Sequence, residues 1–224
     1  MIRLVQCWDD GVEDDIRVCD ILRAAKAKAT FNLNAALHRY RRMGEWTFRE
    51  TKTVRKLALG ELTRVYQGFT IANHTLTHPH ATKIPLSKWR DEVVDGRKWL
   101  QDIFSAPIHG FVYPFGDKDE ATAQVVREAG HLYARGTVAQ TPCFPPADPM
   151  VFNPDGHFLA GDFWQRYEKA KASGSSVFYF WGHSYELVTE QDWQKFTDQI
   201  NRLSADPDAV WADLPELFLP QASS

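Results

Sequence analysis

The amino-acid sequence predicts an α/β fold on a parallel sheet, with seven or eight strands closing into a barrel and an open doubly wound sheet as the alternative. Short β-branched and aromatic runs alternate with helix-period segments from end to end, the mark of crossover units and parallel strands. No glycine-rich dinucleotide fingerprint follows the first strand. The 224 residues and 25.7 kDa suit one domain, which at this mass buries roughly 70% of its extended surface and builds a core without disulfides or a structural metal. We expect that domain to occupy residues 1–219, with 220–224 a frayed tail.

The strand candidates, in order, are Ile2–Trp8, Ala29–Leu33, Gly68–Ala72, Ile108–Tyr113, His131–Arg135, Val177–Trp181 and Ala209–Ala212. Between them run helical stripes: Val18, Ile21, Leu22 and Ala25; then Trp89, Val93, Leu100, Ile103 and Phe104; then Trp193, Phe196, Ile200 and Leu203. Trp89, Trp99 and Trp193 are expected in the core. The proline-rich stretch from Thr141 to Gly156 reads as an irregular loop over the barrel mouth.

Composition narrows the function. Hydrophobic residues at 44% and charged residues at 25% are ordinary globular values. A formal charge of −3 offers no basic excess to meet nucleic acid or an anionic membrane. No apolar run approaches the roughly 20 residues of a membrane span. Cys7, Cys19 and Cys143 fit neither a disulfide framework nor a zinc ribbon, and residues 1–6 lack the apolar region of a signal peptide. Together these predict reduced thiols in a soluble, cytoplasmic protein.

In parallel α/β folds reactive groups collect on the loops after the strands. Three candidate strands end in ionisable clusters: Asp9-Asp10-Gly11, then Asn73-His74-Thr75-Leu76-Thr77-His78, then Gly182-His183-Ser184. Each has an ordinary explanation alone, as a turn, a chance histidine pair or a core histidine. Three on one rim point to an active site. Two adjacent carboxylates cannot cheaply share a buried spot without a cation. His74 and His78, four apart, would lie on one side of a helical turn. Asp10, His74 and His78 therefore compose a two-histidine, one-carboxylate set for which zinc is the first expectation, although the same ligands also suit cobalt, nickel, manganese or iron. Trp8 and Trp181 flank these clusters as flat aromatic faces for a bound substrate, and Asp117 is placed to cap the following helix.

These motifs resemble the NodB-homology polysaccharide deacetylases, a carbohydrate esterase family with a distorted (β/α) barrel. The family's Thr-Phe-Asp-Asp-Gly is met by Cys7-Trp8-Asp9-Asp10-Gly11, and its His-Ser/Thr-x-x-His by His74-Thr75-Leu76-Thr77-His78. Its Arg-x-Pro-Tyr-Gly is met in part by Val112-Tyr113-Pro114-Phe115-Gly116, and its late histidine by Trp181-Gly182-His183. Motif order is kept over roughly residues 5 to 185. The resemblance implies Asp9 as the base that deprotonates a metal-bound water. Asp10, His74 and His78 would hold one divalent ion, the Phe115 amide would bind the oxyanion, and His183 would protonate the leaving amine.

Two departures stand out. Val112 replaces the arginine that pairs with the base carboxylate, so another cation must tune Asp9 or its basicity is set differently. The region that orients the catalytic histidine has no clean counterpart, with Asp155, His157, Asp162 and Trp164 as candidates. Tyr113, His157 and Trp181 are further candidates for substrate contact, and His38, His80, His109 and His131 read as bystanders. The expected function is metal-dependent removal of N-acetyl groups from amino sugars. O-deacetylation, or hydrolysis of a non-sugar amide or cyclic imide, is the alternative within hydrolases, and a non-catalytic carbohydrate-binding protein is the alternative outside them.

Overall fold

The computed structural model describes residues 1–219; the expected tail, 220–224, lies outside the described residues. Among these, no helix is long and apolar enough to cross a membrane. In chain order the elements are β1 (Ile2–Asp9), α1 (Asp15–Ala24), β2 (Thr30–Leu33), β3 (Gly44–Phe48), β4 (Lys52–Arg55), α2 (Leu62–Val65), β5 (Thr70–Asn73) and α3 (Leu86–Phe104). There follow β6 (Gly110–Val112), α4 (Glu120–Glu128), β7 (Tyr133–Arg135), β8 (Gly156–His157), α5 (Phe163–Ala172), β9 (Val177–Gly182), α6 (Glu190–Ser204) and β10 (Ala209–Trp211). Seven strands run side by side in the order β7-β6-β5-β2-β1-β9-β8, all parallel, and β10 pairs with the first half of β1. The sheet curls into a distorted barrel flanked by helices. All seven strands predicted from sequence are present.

Helices α2 and α5 had no sequence reading, and neither did two features built from strands. The antiparallel hairpin β3–β4 stands apart as a two-stranded sheet. The other is β8, which emerges from the proline-rich stretch. That stretch does not arch over the mouth but fills the gap between the sheet's two edges. Phe152 bridges to Arg135 on the β7 side, with Phe152 N–H donating to Ala134 O (2.9 Å) and Gly136 N–H to Phe152 O (3.2 Å). Five residues on, His157 pairs with Trp181 of β9. The physical reason is an open seam: unpaired edge groups need partners, and Cys143 and Phe152 bury their side chains against Val5, Tyr133 and Tyr179 inside the barrel.

Strand alternation sorts the side chains. On β1, Val5 and Cys7 join the barrel interior while Leu4 and Trp8 face the outer helices. On β9, Tyr179 turns inward and Phe178 and Phe180 outward. Helix α6 buries Trp193, Phe196, Ile200 and Leu203, the stripe its spacing predicts. On α3, Trp89 is buried, but Trp99 is 46% exposed. The expectation that Trp99 is core is thus corrected: it lies off the stripe formed by Trp89, Val93, Gly96 and Leu100.

Candidate active site

The C-terminal ends of β1, β5, β7 and β9 share one rim, and each contributes an ionisable group. Asp9 and Asp10 are both buried, and each has its own cation. Asp9 pairs with the fully buried Arg135 and accepts from Asn32 Nδ2 at 2.6 Å. Burial pushes the Asp9 carboxyl up, but Arg135, His74 and His183 outweigh it and the pKa falls below the usual range. Asp10 sits 3.3 Å from the Nζ of Lys56, itself buried and donating to Asn34 Oδ1 (2.7 Å) and to the Asp10 carbonyl. Against burial, Lys56, His183, His74 and His78 hold Asp10 far below the ordinary carboxylate range.

Arg135 answers the question left by Val112. Val112 on β6 and Arg135 on β7 are register partners, so their side chains stand on the same face one strand apart. The guanidinium reaches the Asp9 carboxylate from the strand next to the one that carries Val112. Neither Arg135 nor Lys56 was singled out from sequence, although Arg135 closes a predicted strand.

His74 and His78 do converge, though not on a helical turn. The segment after β5 is a loop in which Thr75 and His78 take positive φ (70° and 62°). The turn is held by Thr75 N–H on Asn73 Oδ1 (3.0 Å) and His78 N–H on Thr75 Oγ1 (2.9 Å). Those short polar acceptors compete with helical hydrogen bonding, which is why the spacing of four misleads. The two Nε2 atoms lie 3.1 Å apart, and His78 Nε2 is 3.9 Å from Asp10 Oδ1. Ligand atoms of Asp10, His74 and His78 all lie within 4.8 Å of one another. His74 Nδ1 meets Val112 O at 2.8 Å, which leaves Nε2 free to act as a ligand. Burial lowers both imidazole pKa values, His78 to about 3, so both rings are in the neutral, metal-binding form. Two facing nitrogens and one carboxylate oxygen fit a divalent cation, since donors about 2.1 Å from a tetrahedral ion stand about 3.4 Å apart.

Across the rim, His183 Nε2 is 3.9 Å from Oδ2 of both Asp9 and Asp10. Its other nitrogen faces Glu186 at 3.4 Å, and the same Glu186 oxygen meets His157 Nε2 at 2.9 Å. Glu186 is the partner that sequence reasoning missed. The available signal was its position three residues after His183, where its carboxylate also accepts the His183 N–H (3.1 Å) as in a capping box. Burial works against a charged His183, but Glu186, Asp9 and Asp10 prevail and raise its pKa. Of the four candidates for orienting His183, only His157 is at the site. Asp155 ties β8 to β9 through the Tyr179 N–H (2.8 Å), Asp162 pairs with Arg166, and Trp164 stacks under Arg202. Trp181 belongs to the site, with the Arg135 guanidinium over its ring at 4.4 Å and His157 edge-on at 4.9 Å.

Three other expectations are corrected. Trp8 is fully buried against Phe158 and Phe196, because an inward Asp9 forces its neighbour outward. Tyr113 is likewise buried, its hydroxyl on Met150 O and its amide on Arg135 O, so it presents nothing to a substrate. Asp119 caps α4; Asp117 instead accepts from the Thr82 N–H (3.0 Å) and hydroxyl (2.9 Å). Phe115 is 58% exposed with φ of 59°, and among the described residues its N–H donates to no protein acceptor. Its ring stacks on His80 at 3.9 Å, which gives that histidine a place beside the site. A cavity of about 420 Å³ opens over Asp10, walled by Glu45 and Trp46 of the hairpin and by Thr77, His78, Phe115 and Tyr185.

The sequence profile of the polysaccharide deacetylase family matches residues 2–134. A peptidoglycan-N-acetylglucosamine deacetylase of Bacillus cereus is 27% identical over 126 residues, covering 55% of this chain and 51% of that protein. The chain thus spans about half the length of that curated relative. Among solved structures, the Bc1960 peptidoglycan N-acetylglucosamine deacetylase in complex with 4-naphthalen-1-yl-N-oxidanyl-benzamide is similar at a TM-score of 0.61 and 16% identity, covering 96% of this chain and 87% of that one. A family 4 acetyl xylan esterase from Clostridium thermocellum, solved with a cobalt ion, is similar at a TM-score of 0.58 and 17% identity, with 96% and 90% covered. At these identities the structural likeness is one of fold.

Proposed function

This chain belongs to the polysaccharide deacetylase family, and from that premise we propose that it hydrolyses the N-acetyl groups of amino sugars in a glycan or glycoside. The observation that carries the reading is the arrangement on one rim: Asp9 held by Arg135, Asp10 among two neutral imidazoles, and His183 3.9 Å from both carboxylates. Asp10, His74 and His78 would hold one divalent ion, zinc fitting the donor set best, and such an ion supplies Lewis acidity toward the acyl oxygen and toward water.

The chain's own residues do the rest. Asp9, kept ionised by Arg135, accepts the proton of the attacking water. The Phe115 N–H, pointing at no other acceptor, donates to the oxygen that becomes negative in the tetrahedral state. His183, whose pKa is raised by Glu186 and the two aspartates, gives its Nε2 proton to the departing nitrogen. That acid favours the amide over the ester reading, because an amine leaves only when protonated and an alkoxide has less need of it. His157 fixes Glu186, and Glu186 fixes the His183 ring.

The test is acetate release from a set of N-acetylated oligosaccharides by metal-supplemented protein. Asp9→Asn should lower turnover about 100-fold or more while the cooperative melt persists. Wild-type turnover in Asp9→Asn would overturn the base assignment. Product from O-acetyl esters or cyclic imides but not from N-acetyl sugars would overturn the substrate class. Sugar binding with no product at any metal concentration would leave a binding protein.

A further inference from the structure

His157, His183 and Glu186 share no residue with the Asp10, His74 and His78 set, yet they form a second constellation of the same composition. His157 Nε2 and His183 Nδ1 lie 2.9 and 3.4 Å from one Glu186 oxygen, and ligand atoms of all three residues fall within 4.8 Å of one another. Those spacings approach the separation of about 3.4 Å between donors of a tetrahedral zinc ion. His183 Nδ1 is a buried nitrogen without a hydrogen-bond partner, although it faces the carboxylate. The side chains keep 24%, 21% and 18% of their surface exposed, so an ion can enter from solvent.

We propose that His157 Nε2, His183 Nδ1 and a Glu186 carboxylate oxygen form a second binding site for a zinc-like divalent cation, and that filling it silences the enzyme. Binding forms three coordinate bonds, and any protons on the two ring nitrogens leave to solvent; nothing is oxidised or reduced. The affinity is lower than at the first site, because water competes more for these partly exposed ligands than for the more deeply buried Asp10, His74 and His78. With Nδ1 coordinated, the His183 ring no longer becomes an imidazolium, and its Nε2 proton then belongs to a neutral ring, a far weaker acid. The binding half is independent of the substrate; the silencing half rests on the deacetylase reading.

The experiment is a calorimetric Zn²⁺ titration of the chelator-stripped full chain, with acetate release followed in parallel. We expect two transitions, the second weaker and releasing protons, with turnover falling about tenfold or more as it fills. His157→Ala should keep the first transition and weaken the second by about 100-fold, as losing a ligand costs at least what losing an outer partner does. Whatever activity that variant retains should no longer respond to excess zinc. Glu186→Gln provides the same calorimetric test should His157→Ala melt without cooperativity. A single transition in the wild type, or a second one unchanged in both variants, overturns the site. If no sugar yields acetate while the second transition appears in the wild type and vanishes in the variants, the site stands and the deacetylase reading falls.

Discussion

Asp9 and Asp10 are chain neighbours with separate electrostatic supports, and the support for Asp9 comes from β7, one strand over from Val112. Arg135 is fully buried, so Arg135→Leu strands a buried carboxylate and should cost about 3–5 kcal/mol, read by denaturant melts. Acetate release should fall about 100-fold or more with it. Because Val112 and Arg135 are register partners, the double variant Val112→Arg, Arg135→Val should recover about tenfold or more of that loss, as a coupled pair does. No recovery would mean that the guanidinium serves only from β7. This swap marks the limit of what the sequence could disclose at this scale. Asp9, Asp10, His74, His78 and His183 were legible because strand ends collect reactive groups. Arg135 was not, because its partnership depends on register, which no local pattern records. Trp8 and Tyr113 could have been read correctly: within a strand, successive side chains face opposite ways, so the neighbours of Asp9 and Val112 turn outward. Asp10 joins Asp9 at the site because it lies past the end of β1, at a φ of 85°.

Among the elements, α1 begins with a buried acid. Asp15 accepts from Tyr66 Oη (2.6 Å) and from the Ser184 hydroxyl, beside His183. Burial drives its carboxyl up to about 7; those two hydrogen bonds oppose the rise, and Asp14 and Asp10 add to it. The folded state then holds a proton that an unfolded aspartate, with a pKa near 3.9, has already released. Stability from this group is therefore greatest below about pH 4 and is lost as pH climbs toward 7, at up to about 1.4 kcal/mol per pH unit. Asp15→Asn should melt higher than wild type at pH 8 and lose that advantage near pH 4. An advantage independent of pH would show that Asp15 is not protonated in the fold. Helices α1, α3 and α6 were legible from their stripes, as were the seven strands. The hairpin β3–β4 and the two-residue β8 were not, since neither carries enough apolar alternation to announce itself; both are held by partners distant in sequence, as Lys52 is by Asp14 (2.8 Å) and the Leu187 carbonyl (2.9 Å).

For the molecule as a whole, the two buried acids are already neutralised by Arg135 and Lys56, so the barrel does not depend on a divalent ion to fold. Chelation should abolish acetate release and leave a cooperative melt. Saturation at about 100 times the dissociation constant adds about 2.7 kcal/mol, so restoring metal should raise the Tm by about 5–10 °C at this size. Loss of the folded baseline on chelation would contradict that view. The barrel itself was legible from alternating strands and helices, but its manner of closure was not. The ring is joined along one line by Phe152, through two backbone hydrogen bonds, and then by β8. A cask whose last stave is a length of loose cord loosens there first. Parting of β8 from β9 would carry His157 away from Glu186, whereas parting of Phe152 from β7 would free the strand that holds Arg135. In both cases Asp10, His74 and His78, set at the ends of β1 and β5, keep their places.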